Sequence, residues 1–470
     1  MIDWKRIVAA AVETYAPVPD AGIAVAVIRG DDLLFEGGFG AREPRGAHRI
    51  DRHTVFAIGS LTKAFTSFVA LRLAELGVVA LDAPVRTYLP DFAVQDDDAS
   101  ANMTLTDLLS GQTGVPRHDL LWYCGPFSRS QLYYRARYLD PDATPGSGFR
   151  KRFEYNSIMY AIAGLALEAA ARKPWSELVK SLIFDPLSID ATMTVADLQN
   201  APDHAAPCAL AARMAYDGVD NIAPAAAINV SIAGMTKWMR LLLDWGVAPD
   251  GRRLIERSSL ELLFKQHIAA PPGGGYGLGW YIDNTAAGRL LHHPGDAQGY
   301  AAYASLMPDP GIAVVALSNQ NIYLNQAISP FPVNVAAAIY RALFAEPTIA
   351  SRIVEAHEQT FSHRSAGEAS PDIAPAASDE PSPPDYLGLY SNAGYGDLAI
   401  AQVAGRVVVS YYGREWTLTR LSADNYALTF EAFGRVFHPP LAFQRDGAGK
   451  VVGLRVRLDA SANPIAFDRR

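Results

Sequence analysis

The chain has 470 residues, half of them hydrophobic, and a formal net charge of -8 with no run of Lys or Arg. That is material for a large core and more than one domain, and the charge speaks against nucleic acid or an acidic membrane surface as partner. No apolar run reaches the roughly 18 residues of a spanning helix, and the two cysteines, Cys124 and Cys208, are expected as free thiols in a chain that folds by burial.

Residues 3 to 16 suit an amphipathic helix that carries Glu13, unlike a signal peptide. The chain as given therefore reads as cytoplasmic, and a secreted form trimmed of its leader would read alike. Gly22 to Ile28 and Leu33 to Gly40 suit a hairpin turning at Gly30-Asp31-Asp32. Next comes Phe56-Ala57-Ile58-Gly59-Ser60-Leu61-Thr62-Lys63-Ala64-Phe65-Thr66-Ser67-Phe68-Val69. From Leu61, apolar residues recur at Phe65, Phe68, Val69 and Leu73, the spacing of a helix with one buried face, so Ser60 stands at a helix start. Lys63 follows on the same side of the first turn. A serine hydroxyl is a poor nucleophile unless a neighbour takes its proton, and a buried lysine does so once desolvation lowers its pKa from about 10.4. Among the lysines, only Lys63 has a serine three positions before it.

From about residue 60 to 270 helical patterns dominate, with helices expected at 157 to 171, 175 to 184 and 232 to 245. Strand signals return at Leu278 to Asp283, Arg289 to His292, Tyr300 to Met307 and Ile312 to Ser318. A helix near 324 to 344 comes after them. Strands at both ends with helices between them imply one sheet built from distant segments and flanked by helices. Residues 346 to 384, rich in Ala, Ser, Pro, Asp and Glu, read as a linker. From 385 to 470, roughly six to eight short strands between turns such as Ala404-Gly405 and Asp446-Gly447 suggest a small antiparallel barrel. No residue in it argues for chemistry, so a stabilising or oligomerising module is expected ahead of a ligand pocket.

Gly59-Ser60-Leu61-Thr62-Lys63 resembles the first motif of the serine β-lactamase and penicillin-recognising hydrolases, in particular the CubicO-type, D-aminopeptidase and esterase branch. Phe153-Glu154-Tyr155-Asn156-Ser157 is similar to the second motif, Tyr-x-Asn, with Ser157 at the usual Asn position and Asn156 one place early. His293-Pro294-Gly295 resembles the third, which is Lys-Thr-Gly or His-x-Gly. Leu81 to Phe92, Leu105 to Pro116 and Tyr276 to Trp280 also look like family segments. The resemblance covers about residues 20 to 345, and the C-terminal stretch is similar to the lipocalin-like domain appended to some of these hydrolases.

The resemblance implies an α+β, β-lactamase-like fold over residues 1 to 345. In it an antiparallel sheet flanked by helices meets an all-helical lobe, with the catalytic groove between them. It implies Ser60 as nucleophile, with Lys63 and Tyr155 moving its proton. His293 would donate to the substrate or carry charge near pH 6.5, Gly295 would let substrate backbone approach, and Ser157 or Asn156 would orient it. The N–H groups of Ser60 and Asp296 would hold the oxyanion. No metal or cofactor is expected, since His292 and His293 point to opposite faces of a strand without a third ligand. The expected partner is a small molecule or short peptide: a substrate with amide or peptide bonds, D-amino-acid-containing peptides included. A carboxylesterase or β-lactamase comes next, and a non-catalytic peptide binder or sensor is the alternative of another class. Assembly as a homo-oligomer is left open.

Overall fold

Two distant parts of the chain build one antiparallel sheet. The computed structural model describes residues 2–321, 330–344, 349–355, 358, 384–432 and 435–470, apart from positions 211, 217, 272 and 460. The sheet strands are β1 (Ile23–Arg29), β2 (Asp32–Phe39), β3 (Ile268–Ala270), β4 (Gly274–Tyr276), β5 (Tyr281–Thr285), β6 (Gly288–Ala297), β7 (Tyr300–Met307) and β8 (Ile312–Ser318). Their order is β2-β1-β8-β7-β6-β5-β4-β3. The N-terminal hairpin enters it through β1, where Ala24 stands opposite Leu317 and Val27 opposite Val314.

The longest helices among the described residues are α1 (Trp4–Tyr15), α2 (Thr62–Glu75), α3 (Ser157–Ala171), α4 (Ile232–Leu243) and α5 (Phe331–Phe344). Alternation along a strand sends neighbouring side chains to opposite faces, and both faces are covered. Ile23, Val25, Val27, Ile312 and Val314 join the core under α1 and α5. Ala24, Ala26, Ile28, Val315 and Leu317 join the larger core that contains α2, α4 and the helical lobe. Of the final helix expected near 324 to 344, residues 324–329 lie outside the described residues.

Helix α2 departs from the expected single buried face, because it is buried on every side from Thr62 to Leu71. It lies between α4 and the helical lobe. Phe65 stacks on Trp238 of α4 at 4.2 Å, while Thr66 donates to the Pro224 carbonyl at 2.6 Å and accepts from Trp175 at 3.0 Å. Strand β6 runs beyond the expected Arg289 to His292, as far as Ala297. Its ladder with β5 ends at the pair Tyr281–His292, whereas its ladder with β7 continues to Ala297. Pro294, which has no N–H to give, therefore sits where one edge of β6 is already open.

The stretch expected as a linker from 346 to 384 opens on helical residues 349–355, and Ile349, Ala350 and Ile353 are buried in the core under α5. The Ile349–Ile353 spacing is helical, but the Pro- and Ala-rich surroundings mask it. Residues 359–383 lie outside the described residues.

The C-terminal strands are β9 (Gly388–Asn392), β10 (Gly396–Val403), β11 (Arg406–Tyr411), β12 (Arg414–Arg420), β13 (Asn425–Ala432), β14 (Arg435–Phe437), β15 (Pro440–Arg445), β16 (Val451–Val456) and β17 (Ile465–Arg469). Neighbours run in the order β12-β11-β10-β9-β17-β16-β15-β13-β14, and a further pairing of β12 with β13 closes a barrel of eight, with β14 as a side hairpin. Its interior is filled with rings: Tyr386 stacks on Phe443 at 4.1 Å and Trp416 on Phe430 at 4.6 Å, with Tyr390, Tyr411 and Phe467 buried beside them. The barrel docks on the helical lobe through Arg135, which donates to the Gly394 carbonyl at 2.6 Å, and through the Ala143 N–H, 2.9 Å from the Ser461 carbonyl. Cys124 and Cys208 are not joined in a disulfide, and both are buried. Among the described residues no helix is long and apolar enough to cross a membrane.

Candidate active site

Ser60 lies on a single 3-10 turn, Gly59–Leu61, that leads into α2. A short ladder brings the chain there, with Phe56 opposite Val230, and the Ile58 N–H then donates to the Ile228 carbonyl at 3.1 Å. The turn packs directly on the open edge of β6, and two glycines permit it. Gly59 has φ +50, and a Cβ there would lie 2.6 Å from the Asp296 nitrogen. A Cβ on Gly295 would lie 2.1 Å from the Ile58 carbonyl oxygen. Gly295 thus gives room first to the protein's own backbone, where the sequence suggested room for a substrate. Asp296 presents its backbone beside the turn, and its carboxylate accepts from the Asn321 amide.

Lys63 is 1% exposed. Its ammonium has three protons and finds three acceptors: Ser60 Oγ at 3.1 Å, Ser157 Oγ at 3.3 Å and the Ala225 carbonyl at 3.2 Å. The Tyr155 hydroxyl donates to Ser60 Oγ at 2.7 Å, and the same ring lies 4.7 Å from Lys63 Nζ. Four of the residues singled out in the sequence, Ser60, Lys63, Tyr155 and Ser157, therefore meet at one point.

Asn156 does not join them. It is the N-cap of α3, accepting the Met159 N–H at 3.0 Å, while its amide nitrogen donates to the carbonyls of Val115 at 3.2 Å and Pro116 at 2.5 Å. Both ends of the side chain serve the fold, and a substrate-orienting role is left without a free group.

His293 is beside the centre but differs from the expectation of a charge near pH 6.5. It is 1% exposed, and burial together with the Lys63 charge pushes its pKa well below the usual 6.5. The ring is neutral, with Nδ1 2.6 Å from the Pro294 carbonyl and Nε2 3.2 Å from the Tyr276 hydroxyl. A carbonyl only accepts, so Nδ1 carries the proton and Nε2 accepts from Tyr276, which burial holds as a phenol. Both nitrogens are committed within the protein. His292 points to the other face, with Nε2 3.0 Å from Asp283 Oδ2.

Two features of the site carry no sequence signal. Arg117 places its guanidinium carbon 4.6 Å from the Tyr155 ring centroid and its Nε 2.6 Å from Asp119 Oδ2. Glu154, next to Tyr155, faces Asp142 under Arg152. Burial and the hydrogen bond and charge of Asp142 push the Glu154 pKa up to about 9, so one proton is shared by two carboxyls. Both features lie on irregular loops, where no periodicity places a side chain.

The chain is similar to Penicillin-binding protein 4 of Amycolatopsis lactamdurans, 26% identical over 330 residues that make up 66% of this chain and 84% of that protein. Among solved structures it is similar to the octameric penicillin-binding protein homologue from Pyrococcus abyssi, with TM-score 0.62 and 19% identity over 99% of this chain and 100% of that one. It is also similar to the D-amino acid amidase from Ochrobactrum anthropi SV3, with TM-score 0.59 and 18% identity over 73% of this chain and 100% of that one. At these identities the two structures show the fold. The family description that matches residues 12–331 is Beta-lactamase. The chain belongs to the Beta-lactamase family of serine hydrolases.

Proposed function

We propose that the protein hydrolyses amide and peptide bonds of small peptides, D-amino-acid-containing ones included, through an acyl-enzyme on Ser60. The observation that carries this reading is the triangle, buried at Lys63 and half-buried at Ser60 and Tyr155, in which Ser60 Oγ receives Tyr155 O–H at 2.7 Å and Lys63 Nζ at 3.1 Å. With Lys63 as an ammonium on three acceptors, Tyr155 is the group that takes the Ser60 proton, in its phenolate form. The Ser60 oxygen bonds to the carbonyl carbon, the carbon–nitrogen bond breaks, and Tyr155 returns the proton to the leaving amine. Water then attacks the ester, and Ser60 regains its proton as the acid leaves. The N–H of Ser60 and that of Asp296, beside the turn at Gly59, are the donors proposed for the oxyanion. This route calls on no metal or cofactor.

The neutral His293 offers a substrate carboxylate no charge to pair with, which favours amides over β-lactams at that position. The preference for D-residues leans on the similarity to the D-amino acid amidase, and assembly as a homo-oligomer on the similarity to the octameric homologue. A fluorophosphonate should label the native chain and leave Ser60→Ala unlabelled. D- and L-aminoacyl amides should then be turned over ahead of p-nitrophenyl esters. Turnover of esters alone would make the protein an esterase, and absence of labelling would make it a non-catalytic peptide binder.

A further inference from the structure

Resting on the reading of Tyr155 as the acceptor of the Ser60 proton, we infer that Arg117 is a positioning residue that biases the Tyr155 phenol towards its phenolate. A phenol accepts a proton only after losing its own, which in water happens near pH 10. Work at neutral pH through Tyr155 therefore calls for positive charge at its ring.

Two cations stand there, Lys63 with Nζ 4.7 Å from the ring centroid and Arg117 with Cζ 4.6 Å from it. Among the described residues, four further groups beside the ring are uncharged at neutral pH, and Tyr281 packs in the same small cluster as Tyr155. His293 of β6, its ring 5.9 Å away, is held neutral by burial and by Lys63. Tyr160 of α3 and Tyr276 of β4 are kept as phenols by burial. Glu154, on the same segment as Tyr155, keeps its proton up to about pH 9. Asp119 is the anion that pairs with Arg117. It offsets part of the charge and fixes the guanidinium, itself held by Trp122 Nε1 at 2.8 Å. With His293 neutral, the second positive charge at Tyr155 comes from this loop.

The loop is braced from two sides. Asn156 holds the carbonyls of Val115 and Pro116. The next residue, His118, is held by the barrel: its N–H donates to Asp459 Oδ2 at 2.7 Å, and its Nδ1 is 2.8 Å from the Tyr395 hydroxyl. The barrel thereby helps to fix where Arg117 stands. An opposite charge close to an acid lowers its pKa by about 1 to 3 units, and Arg117 stands over the Tyr155 ring face. The lower end applies here, because Arg117 is 23% exposed and paired with Asp119.

The test measures the rate of fluorophosphonate labelling against pH in the native chain, Arg117→Gln and Arg117→Lys. Alongside runs an ultraviolet phenolate titration, each protein referenced to its Tyr155→Phe counterpart. Arg117→Gln should move the acid limb of labelling up by about one pH unit, which makes it about tenfold slower at neutral pH with recovery at alkaline pH. Arg117→Lys should restore most of the native profile, and thermal melting should be unchanged. Superimposable limbs, or a loss equal at every pH that Lys does not rescue, would overturn the inference. If the native chain is not labelled, the hydrolase reading fails instead, and the phenolate titration still decides: an unshifted Tyr155 in Arg117→Gln overturns the role of Arg117.

Discussion

Ser157 Oγ stands 3.3 Å from Lys63 Nζ, so the hydroxyl at the second position after Tyr155 faces the amine rather than an open groove. Lys63→Met removes the ammonium that donates to Ser60 Oγ and stands 4.7 Å from the Tyr155 ring centroid, and should lower kcat/KM by about 10³-fold, the upper end of what one opposite charge does for a neighbouring acid, while the similar side-chain length keeps the fold. Ser157→Ala leaves the ammonium two acceptors and should cost no more than about tenfold, one net hydrogen bond. Steady-state kinetics on an aminoacyl amide separates the two. Equal losses would mean that Ser157 does more than hold Lys63.

The neutral imidazole of His293 makes a second prediction. Its folded pKa is depressed by burial and by Lys63. The unfolded chain therefore binds the extra proton first, and this group's contribution to stability is present above about pH 6.5 and lost as the pH falls below it. The His293 ring signal should not titrate between about pH 6 and 8 in proton–carbon spectra, identified by its absence in His293→Gln. A midpoint near 6.5 would return His293 to the charged role first expected of it.

Gly295 and Gly59 press the Ser60 turn on β6, and a methyl group at either meets backbone. In Gly295→Ala the new Cβ would lie 2.1 Å from the Ile58 carbonyl, a clash that no rotamer relieves. Overpacking of this kind costs about 1–3 kcal/mol. The turn must shift, so labelling of Ser60 should fall at least about 10²-fold, the cost of a displacement near 1 Å. The check is a crystal structure and labelling rate of the variant. Native labelling with a displaced Ser60 would show that the turn tolerates movement.

Much of this was legible in the residues themselves. Helix α3 begins and ends where the pattern from Ser157 to Ala171 placed it, and β7 and β8 also match, because long apolar periods bounded by turn residues leave little choice. The serine, lysine and tyrosine of the centre were visible from spacing and resemblance. What escaped depends on packing. The extension of β6 through Pro294 depends on where β5 stops, and the neutrality of His293 on burial. Neither is a property of a sequence window. Arg117 and Asp142 reach the site from loops, and only the folded chain places them beside Tyr155 and Glu154.

The pair Glu154 and Asp142 supplies a test of the fold that is independent of catalysis. Asp142 Oδ2 and Glu154 Oε1 are both buried without a hydrogen-bond donor from elsewhere, and Arg152 stands 3.6 and 3.7 Å from them. A proton on Glu154 joins the carboxyls. Burial opposes ionisation of Asp142, yet the hydrogen bonds of Glu154 and Thr144 and the Arg152 charge outweigh it and hold Asp142 below the usual range. Glu154 shifts the other way, up to about 9. A raised folded pKa means that the native state binds the proton the unfolded chain has released. Its stabilising contribution is complete below the unfolded value near 4.5 and is lost as pH rises to about 9. The slope is at most about 1.4 kcal/mol per pH unit. His293 works in the opposite direction below about pH 6.5, so the clean window is pH 7 to 9. Glu154→Gln keeps an N–H donor towards Asp142 and removes the titration. Urea unfolding at three pH values in that window should show native stability declining and the variant level, with the variant the more stable at pH 9. Parallel lines for the two proteins would mean that Glu154 is ionised throughout and that the shared proton does not exist.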